Sequence, residues 1–449
     1  MTELKKIHFI GIGGIGISTL AQIYNEKGIS ISGSDIEDSD HITDMKKRGI
    51  KISIGHNENN LDKDTDLVIY SFAIEKDNPE LIKAQSLNIP CKTYPQALGE
   101  FSQNYYTIGI TGTHGKSTTT SMMALLALNA GIDPTIVDGT KMKELEDKNY
   151  RLGNSKYLIV EACEFRNAFL NYRLDVLAII NIDSDHLDFF KTQENYIKAF
   201  NEACKRVNKD GLIILDDDDK NSKNINEGAQ AKTVYVTGKP ENKNKENYYY
   251  LEGNTLYFAG TSLNLEPNVP GKFNIRNSAF AAIIGLHLGI NNEKIEENIK
   301  KFEGSWRRME LKHTNLENKL FYDDYGHLPA EISNTLNAIR ERHPDKKILA
   351  VFQPHQFIRI RNYLKEFGQS FKDADEVLIP DILRNRDTKE EIASINTPEL
   401  IDEIKKNKAP VYHTSDMHDT ADWIKNNQEK FDVIVAMGSG NIKKLYKML

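Results

Sequence analysis

Short apolar runs alternate with amphipathic stretches along almost the whole chain, and the recurring order of strand, turn and helix predicts parallel α/β sheets. Three sections stand out. The first opens with a strand over Ile7–Ile12, a glycine-rich turn over Gly11–Gly16, a helix to about Lys27 and a second strand ending at Asp35; further strands fall at Ile52–Ile54 and Asp66–Ser71. The second restarts with the apolar strand Tyr105–Thr111, which enters a glycine loop and the helical run Ser117–Ala130. Its apolar strands recur at Tyr157–Val160, Val176–Ile182 and Gly211–Leu215, followed by a polar surface loop over Lys239–Asn247 and a hairpin over Tyr248–Phe258 around Gly253-Asn254. The third begins near Leu311 and places strands at Leu320–Asp324, Lys347–Phe352, Glu376–Ile379, Val411–His413 and Val433–Met437 between amphipathic helices.

Length agrees with three sections, since 449 residues exceed one ordinary core and about 150 residues per domain suggests three. A net charge of −7 argues against a broad nucleic-acid or anionic-membrane surface, while leaving room for small basic phosphate pockets. The amino terminus runs straight into a strand without a signal-peptide core, and no apolar stretch reaches membrane-spanning length. Cys91, Cys163 and Cys204 are scattered without metal spacing and read as isolated thiols in a reducing cytoplasm. The expectation is a cytoplasmic protein, monomer or homodimer, with small-molecule partners and no nucleic acid or membrane insertion.

Chemistry is concentrated in Gly109-Ile110-Thr111-Gly112-Thr113-His114-Gly115-Lys116-Ser117-Thr118, between a strand and a helix. Glycines let successive backbone N–H groups converge on phosphate oxygens, and the helix N-terminus adds its positive end. Lys116 would meet the β- and γ-phosphates of ATP, and the Ser117 hydroxyl would reach Mg²⁺. The strict pattern asks for glycine where Ile110 stands, so the loop is a variant form. Glu161 follows one apolar strand and His186 another, and ligand-binding residues of parallel sheets gather beyond the carboxyl ends of strands. Both are candidate metal ligands; polar loop filling is the alternative.

Gly11-Ile12-Gly13-Gly14-Ile15-Gly16 satisfies a G-x-G-x-x-G fingerprint, with Gly14 a further glycine inside it, and Asp35 ends the next strand. Alone, that segment predicts a diphosphate at a helix N-terminus and suggests a nicotinamide cofactor. In the third section, Asp323-Asp324-Tyr325-Gly326-His327 and Gln353-Pro354-His355-Gln356-Phe357-Ile358-Arg359 follow neighbouring strands and suggest a polar cleft wall, with helix capping and surface ion pairs as the alternative. Arg307-Arg308 near the section boundary would place a guanidinium on a phosphate or form a linker salt bridge.

Taken in order, these segments resemble the Mur ligase family across essentially the whole chain. The resemblance rests on His8–Gly16, Gly33-Ser34-Asp35, Gly112–Thr118, Glu161 with His186, Pro270–Asn277, Arg307-Arg308, Asp323–His327 and Phe352–His355. It implies an N-terminal Rossmann-like domain (1–103) holding the UDP end of UDP-N-acetylmuramate through Gly11, Gly13, Gly14, Gly16, Ser34, Asp35 and Ser71. It implies a central P-loop domain (104–309) binding ATP through Gly112, Thr113, His114, Gly115, Lys116, Ser117, Thr118, Asn274 and Asn277, with Ser117, Glu161 and His186 on Mg²⁺. It further implies a C-terminal Rossmann-like domain (310–449) that closes over ATP, with Asp324 toward the ribose and His327, His355 and Arg359 toward the amino acid.

The implied reaction transfers the γ-phosphoryl group to the muramoyl carboxylate, after which the amine of L-alanine displaces phosphate. Lys116, Arg308 and Arg359 are the charged catalytic candidates, with His327 as base. Several positions depart from the family pattern: Leu328 replaces a second His after His327, Phe273 replaces a His before Asn274, and Gln356 stands where Arg is frequent. The usual Glu-Ala-Asp-Glu-Ser-Asp reads Glu161-Ala162-Cys163-Glu164-Phe165-Arg166. Within the family, a peptide-attaching recycling ligase is the alternative. Outside it stand an NAD-dependent oxidoreductase, which leaves Gly112–Thr118 unexplained, and a P-loop NTPase module without ligase activity.

Overall fold

A computed structural model describes residues 4–183, 186–222, 224–384, 387–407 and 410–449. Ser184 and Asp185 of the segment leading to His186, and Met1–Glu3 of the amino terminus, lie outside the described residues. The chain divides into two compact units, residues 1–266 with 276–300, and residues 267–275 with 301–449.

The first unit contains two sheets. Strands β1 (Lys6–Ile10), β2 (Ser30–Asp35), β3 (Lys51–Ile54), β4 (Leu67–Tyr70) and β5 (Cys91–Thr93) pair in the order β3-β2-β1-β4-β5, all parallel. The order reverses between β1 and β4, which opens a crevice beyond their carboxyl ends. The second sheet comprises β6 (Tyr106–Thr111), β7 (Thr135–Met142), β8 (Lys148–Arg151), β9 (Tyr157–Glu161), β10 (Leu174–Ile179), β11 (Val207–Asp216), β12 (Lys232–Thr237), β13 (Tyr248–Glu252), β14 (Thr255–Phe258) and β15 (Thr261–Asn264). Its order is β15-β14-β13-β12-β11-β10-β6-β9-β7-β8. The central strands are parallel and buried on both faces, which accounts for their unbroken apolar runs. The hairpin around Gly253 forms as expected, with Leu251 opposite Leu256.

One continuous core joins these two sheets. Helix Ile15–Glu26 contacts β7 and β8. Asn149 donates to Thr19 Oγ1 at 2.8 Å and to Asp138 O at 3.2 Å, while Tyr150 donates to Glu26 Oε1 at 2.8 Å. The glycine turn before that helix and the strand tips of the second sheet are thereby held in one body.

The second unit is built on β16 (Glu310–Lys312), β17 (Leu320–Asp324), β18 (Ile348–Phe352), β19 (Glu376–Pro380), β20 (Val411–Thr414) and β21 (Val433–Met437), in the order β16-β17-β21-β18-β19-β20. Only β16 is antiparallel to its neighbour. It escapes the sequence reading, as do β5, β7, β8, β12 and β15; β5, β8, β15 and β16 are edge strands, while β7 and β12 are interior strands that lack a long unbroken apolar run. Apolar layers cover both faces of the sheet. Among the described residues, no helix is long and apolar enough to cross a membrane.

Candidate active site

The loop after β6 turns through two left-handed glycines. Gly112 has φ +139° and lies against Asn181, so close that an added Cβ would meet the Asn181 carbonyl at 2.9 Å. Gly115 has φ +83°, and an added Cβ would meet Asn277 Oδ1 at 2.6 Å. Asn181 clamps the intervening residues: its carbonyl accepts from Thr113 N at 3.0 Å, its Oδ1 from His114 N at 2.8 Å, and its Nδ2 donates to His114 O at 2.9 Å. Helix Lys116–Asn129 then begins, with Ser117 and Thr118 buried in its first turn.

Lys116 folds back over the loop. Its Nζ donates to Gly112 O at 2.5 Å, to Thr113 O at 3.1 Å and to Glu164 Oε1 at 3.0 Å. Burial works against the ammonium, but Glu164, Cys163 and Glu161 outweigh it and raise the lysine pKa above its ordinary value. Glu164 is fully buried, also accepts from Tyr196 OH at 3.2 Å, and leaves its Oε2 without a hydrogen-bond partner. His186 Nε2 stands 3.8 Å from Glu164 Oε1, and its ring packs on Phe165 with centroids 4.7 Å apart.

Glu161, at the tip of β9, accepts from Gly139 N at 3.0 Å. Behind it Asp138 is buried and accepts from Ser121 Oγ at 2.8 Å. Desolvation, then the negative charge of Glu161, pushes the Asp138 carboxyl well above its ordinary range. Glu161 and Ser117 offer oxygen to a cation, the donor type Mg²⁺ takes, and among the described residues no three His, Cys, Asp or Glu side chains gather as a metal-holding cluster.

Around the first sheet, Gly11 has φ +75°, and Gly11 N and Ile12 N donate to Ser34 O at 2.8 and 3.0 Å. Gly13 N donates to Asp35 Oδ2 at 2.8 Å. Gly14 caps the helix, and a Cβ at Gly16 would meet the Tyr94 ring at 2.9 Å. Ser71 lies beside Gly11, with its Cβ 3.0 Å from where a Gly11 Cβ would be. Ser34 supports the turn through its carbonyl. Its hydroxyl is buried, donating to Glu80 Oε2 at 2.7 Å and lying 3.0 Å from His56 Nδ1.

In the second unit the two neighbouring arginines divide their tasks. Arg307 is 1% exposed, holds both Asp323 oxygens through Nε at 3.2 Å and donates to the Gly438 carbonyl. Arg308 is half-buried over the Tyr325 ring, 5.1 Å from its centroid. Asp324 is buried and accepts from Gly326 N and Met309 N, both at 2.8 Å. Burial raises its pKa, and Arg308 opposes the rise.

His327 and His355 lie edge to face at 5.6 Å. Burial holds His327 below its ordinary pKa, Glu331 opposes, and Arg359 and Arg308 reinforce. His355 is pushed down to about 3 by burial, Arg359 and His327. It is therefore a neutral acceptor near pH 7, with Arg359 Nη1 at 3.2 Å and Ser439 Oγ at 3.0 Å. Gln356, next in the chain, has φ +63°. Unfolded chain protonates this imidazole near pH 6.5 and folded chain only near 3. Between those values the unfolded state carries the extra proton, so stability rises with pH and falls on acidification. Thermal melts at graded pH are expected to show that loss from pH 7 toward 4, and His355→Gln to flatten it; an unchanged slope in the variant refutes the assignment.

Three family models match in chain order: "Mur ligase family, catalytic domain" over residues 6–106, "Mur ligase middle domain" over 110–285, and "Mur ligase, glutamate ligase domain" over 307–440. The chain belongs to the Mur ligase family. It is 36% identical to a UDP-N-acetylmuramate–L-alanine ligase of Caldanaerobacter subterraneus, over 98% of this chain and 96% of that one. It is 38% identical to the ligase of the same name from Clostridium botulinum, over 99% and 97%. Among solved structures it is similar to the UDP-N-acetylmuramate-alanine ligase MurC of Thermotoga maritima, with a TM-score of 0.79, 25% identity, and 99% and 98% of the two chains covered.

Gly112–Thr118, Glu161 and His186 all lie in the first unit, and Arg308, Asp324, His327, His355 and Arg359 in the second. Asn274 and Asn277 share helix Lys272–His287, where Asn274 Nδ2 donates to Pro270 O at 2.7 Å. The nicotinamide reading of Gly11–Gly16 gives way to the family assignment. Sequence reasoning passed over Glu164, Asn181 and Asn149. Glu164 stood within a quoted motif, yet its partner Lys116 is 48 positions away, and only the parallel pairing of β6 with β9 brings the two together.

Proposed function

We propose that the chain joins L-alanine to the carboxylate of UDP-N-acetylmuramate, using ATP through an acyl phosphate, in the cytoplasmic synthesis of peptidoglycan precursors. The observation that carries this reading is identity of 36–38% over nearly the whole chain with ligases of that name, together with a phosphate loop whose lysine is charged and preorganised. Residues 1–103 hold the UDP end through Gly11, Gly13, Gly14, Gly16, Asp35 and Ser71. Residues 104–309 hold ATP, and residues 310–449 supply the amino-acid groups His327, His355 and Arg359, with Asp324 for the ribose.

Both reactants of the first step are anionic, so catalysis consists of alignment and charge neutralisation. Lys116 meets the transferred phosphoryl group, and Arg308 adds a second cation. Ser117, Glu161 and His186 would hold Mg²⁺, which when bound neutralises phosphate charge. In the second step His327, kept neutral by burial, takes a proton from the alanine ammonium as the amine attacks the acyl carbon and phosphate leaves.

Phosphate release from ATP and UDP-N-acetylmuramate, measured across a panel of amino acids and peptides, tests the reading. Release with L-alanine is expected; turnover with a tripeptide but not with L-alanine would make the chain a recycling ligase instead. Glu161→Ala is expected to raise the Mg²⁺ concentration for half-maximal release by about tenfold or more, as loss of a ligating group does. An unchanged metal requirement would remove Glu161 from the metal site.

A further inference from the structure

Beyond the tip of β9 the chain makes an unusual turn. Arg166 (φ 51°, ψ 32°) and Asn167 (φ 59°, ψ 29°) are consecutive non-glycine residues in the left-handed region, a conformation retained where the surroundings over-determine it and concentrated at ligand clamps. The turn throws the Arg166 side chain across to the first sheet. Its Nη1 donates to Phe72 O at 3.0 Å, and the guanidinium lies 5.6 Å from the Phe72 ring centroid and 5.4 Å from that of Phe165. Two aromatic faces and one carbonyl thus fix the plane of the group, while the residue stays exposed. No acid among the described residues pairs with it, so its remaining N–H groups face solvent.

Its place in the fold is bounded on both sides. Phe72 follows Ser71, which abuts Gly11 at the start of the glycine turn. Glu164, two residues before Arg166, touches Lys116 Nζ at 3.0 Å. Two residues of chain span at most about 7 Å. Arg166 thus links the strand tip that carries Ser71 and Phe72, beside Gly11, to the one that carries Glu164, beside Lys116.

We infer that Arg166 is a substrate-binding residue that receives the carboxylate of the acid substrate and presents it for phosphorylation. The inference rests on the proposed ligase reaction, in which Lys116 and Arg308 serve the phosphoryl group and the approaching carboxylate needs a cation of its own. A planar guanidinium matches a carboxylate in two parallel hydrogen bonds, and its aromatic bracket keeps that plane fixed.

The test compares calorimetric binding of UDP and of UDP-N-acetylmuramate to the full chain, wild type and Arg166→Gln. Glutamine keeps an N–H for the Phe72 carbonyl but carries no charge. Arg166→Gln is expected to weaken UDP-N-acetylmuramate about 30-fold, the scale of one charge-assisted contact, while UDP, which lacks the carboxylate, stays within about twofold. KM for UDP-N-acetylmuramate should rise in parallel with KM for ATP unchanged, and Arg166→Lys should recover only part of the loss. Equal weakening of both ligands would assign Arg166 to the diphosphate or to loop shape, and unchanged binding would assign it to the Phe72 tether alone; either overturns the inference. Failure of the wild-type chain to bind UDP-N-acetylmuramate would instead overturn the ligase reading, a result the variant cannot mimic.

Discussion

Lys116→Ala is expected to lower phosphate release by about 10²–10³-fold, the usual loss when one preorganised donor to a transition-state charge is removed. Binding of UDP-N-acetylmuramate, read by calorimetry, should stay nearly intact, because Gly11–Gly16 and their supports contain no contact to Lys116. The same change has a second consequence. Glu164 is fully buried and Lys116 is its counter-charge. Removing one partner of a buried pair typically costs about 3–5 kcal/mol, because the other charge is left unpaired. The double variant Lys116→Ala/Glu164→Gln separates the effects: stability should return while turnover does not. Recovery of turnover in the double variant, or near-wild-type turnover in the single one, would remove the lysine from the mechanism.

Arg307→Ala should be among the most damaging single changes in the second unit. The guanidinium is buried against Asp323, whose carboxyl is already raised by burial, and it also holds the Gly438 carbonyl. Truncation strands a buried acid and a buried carbonyl, for an expected loss of about 3–5 kcal/mol in chemical denaturation. That is a large share of the roughly 5–15 kcal/mol that keeps a typical domain folded. Arg308→Ala, one residue on, should stay within about 1 kcal/mol of wild-type stability, since its side chain lies over Tyr325 at a half-exposed site. Its defect should appear in turnover. If both variants lose stability equally, the division of labour between the two arginines is wrong.

The contrast between these neighbours measures how far sequence reading reaches. Arg307-Arg308 read as one feature with two candidate roles, a phosphate contact and a salt bridge. Arg307 takes the salt bridge, with Asp323, while both guanidinium groups lie near the Tyr325 ring, 5.3 and 5.1 Å from its centroid, and burial rather than sequence separates the pair: Arg307 is 1% exposed and Arg308 half-buried. A similar split affects Gly33-Ser34-Asp35. Asp35 accepts from Gly13 N of the glycine turn, whereas the Ser34 hydroxyl points into the buried Glu80 network, and strand alternation alone could not say which side was lined with polar partners.

What the chain determined by itself was local. Apolar runs marked the central strands, and glycine placement marked two turns that must adopt left-handed or close-packed backbone. The Gly112–Thr118 loop read as a phosphate-binding candidate because its glycines and the helix start that follows are contiguous in the chain, although Asn181 and Asn277, which clamp it, are not. Tertiary structure decided everything that depends on which strand tips meet. It set Glu164 against Lys116, tied helix Ile15–Glu26 to β7 and β8 through Asn149, and carried Arg166 across to Phe72. These contacts join residues 48, 130 and 94 positions apart. Their partners are fixed by sheet order and by the cost of leaving buried charge and polar groups unpaired, and neither has a signature in the residues taken one stretch at a time.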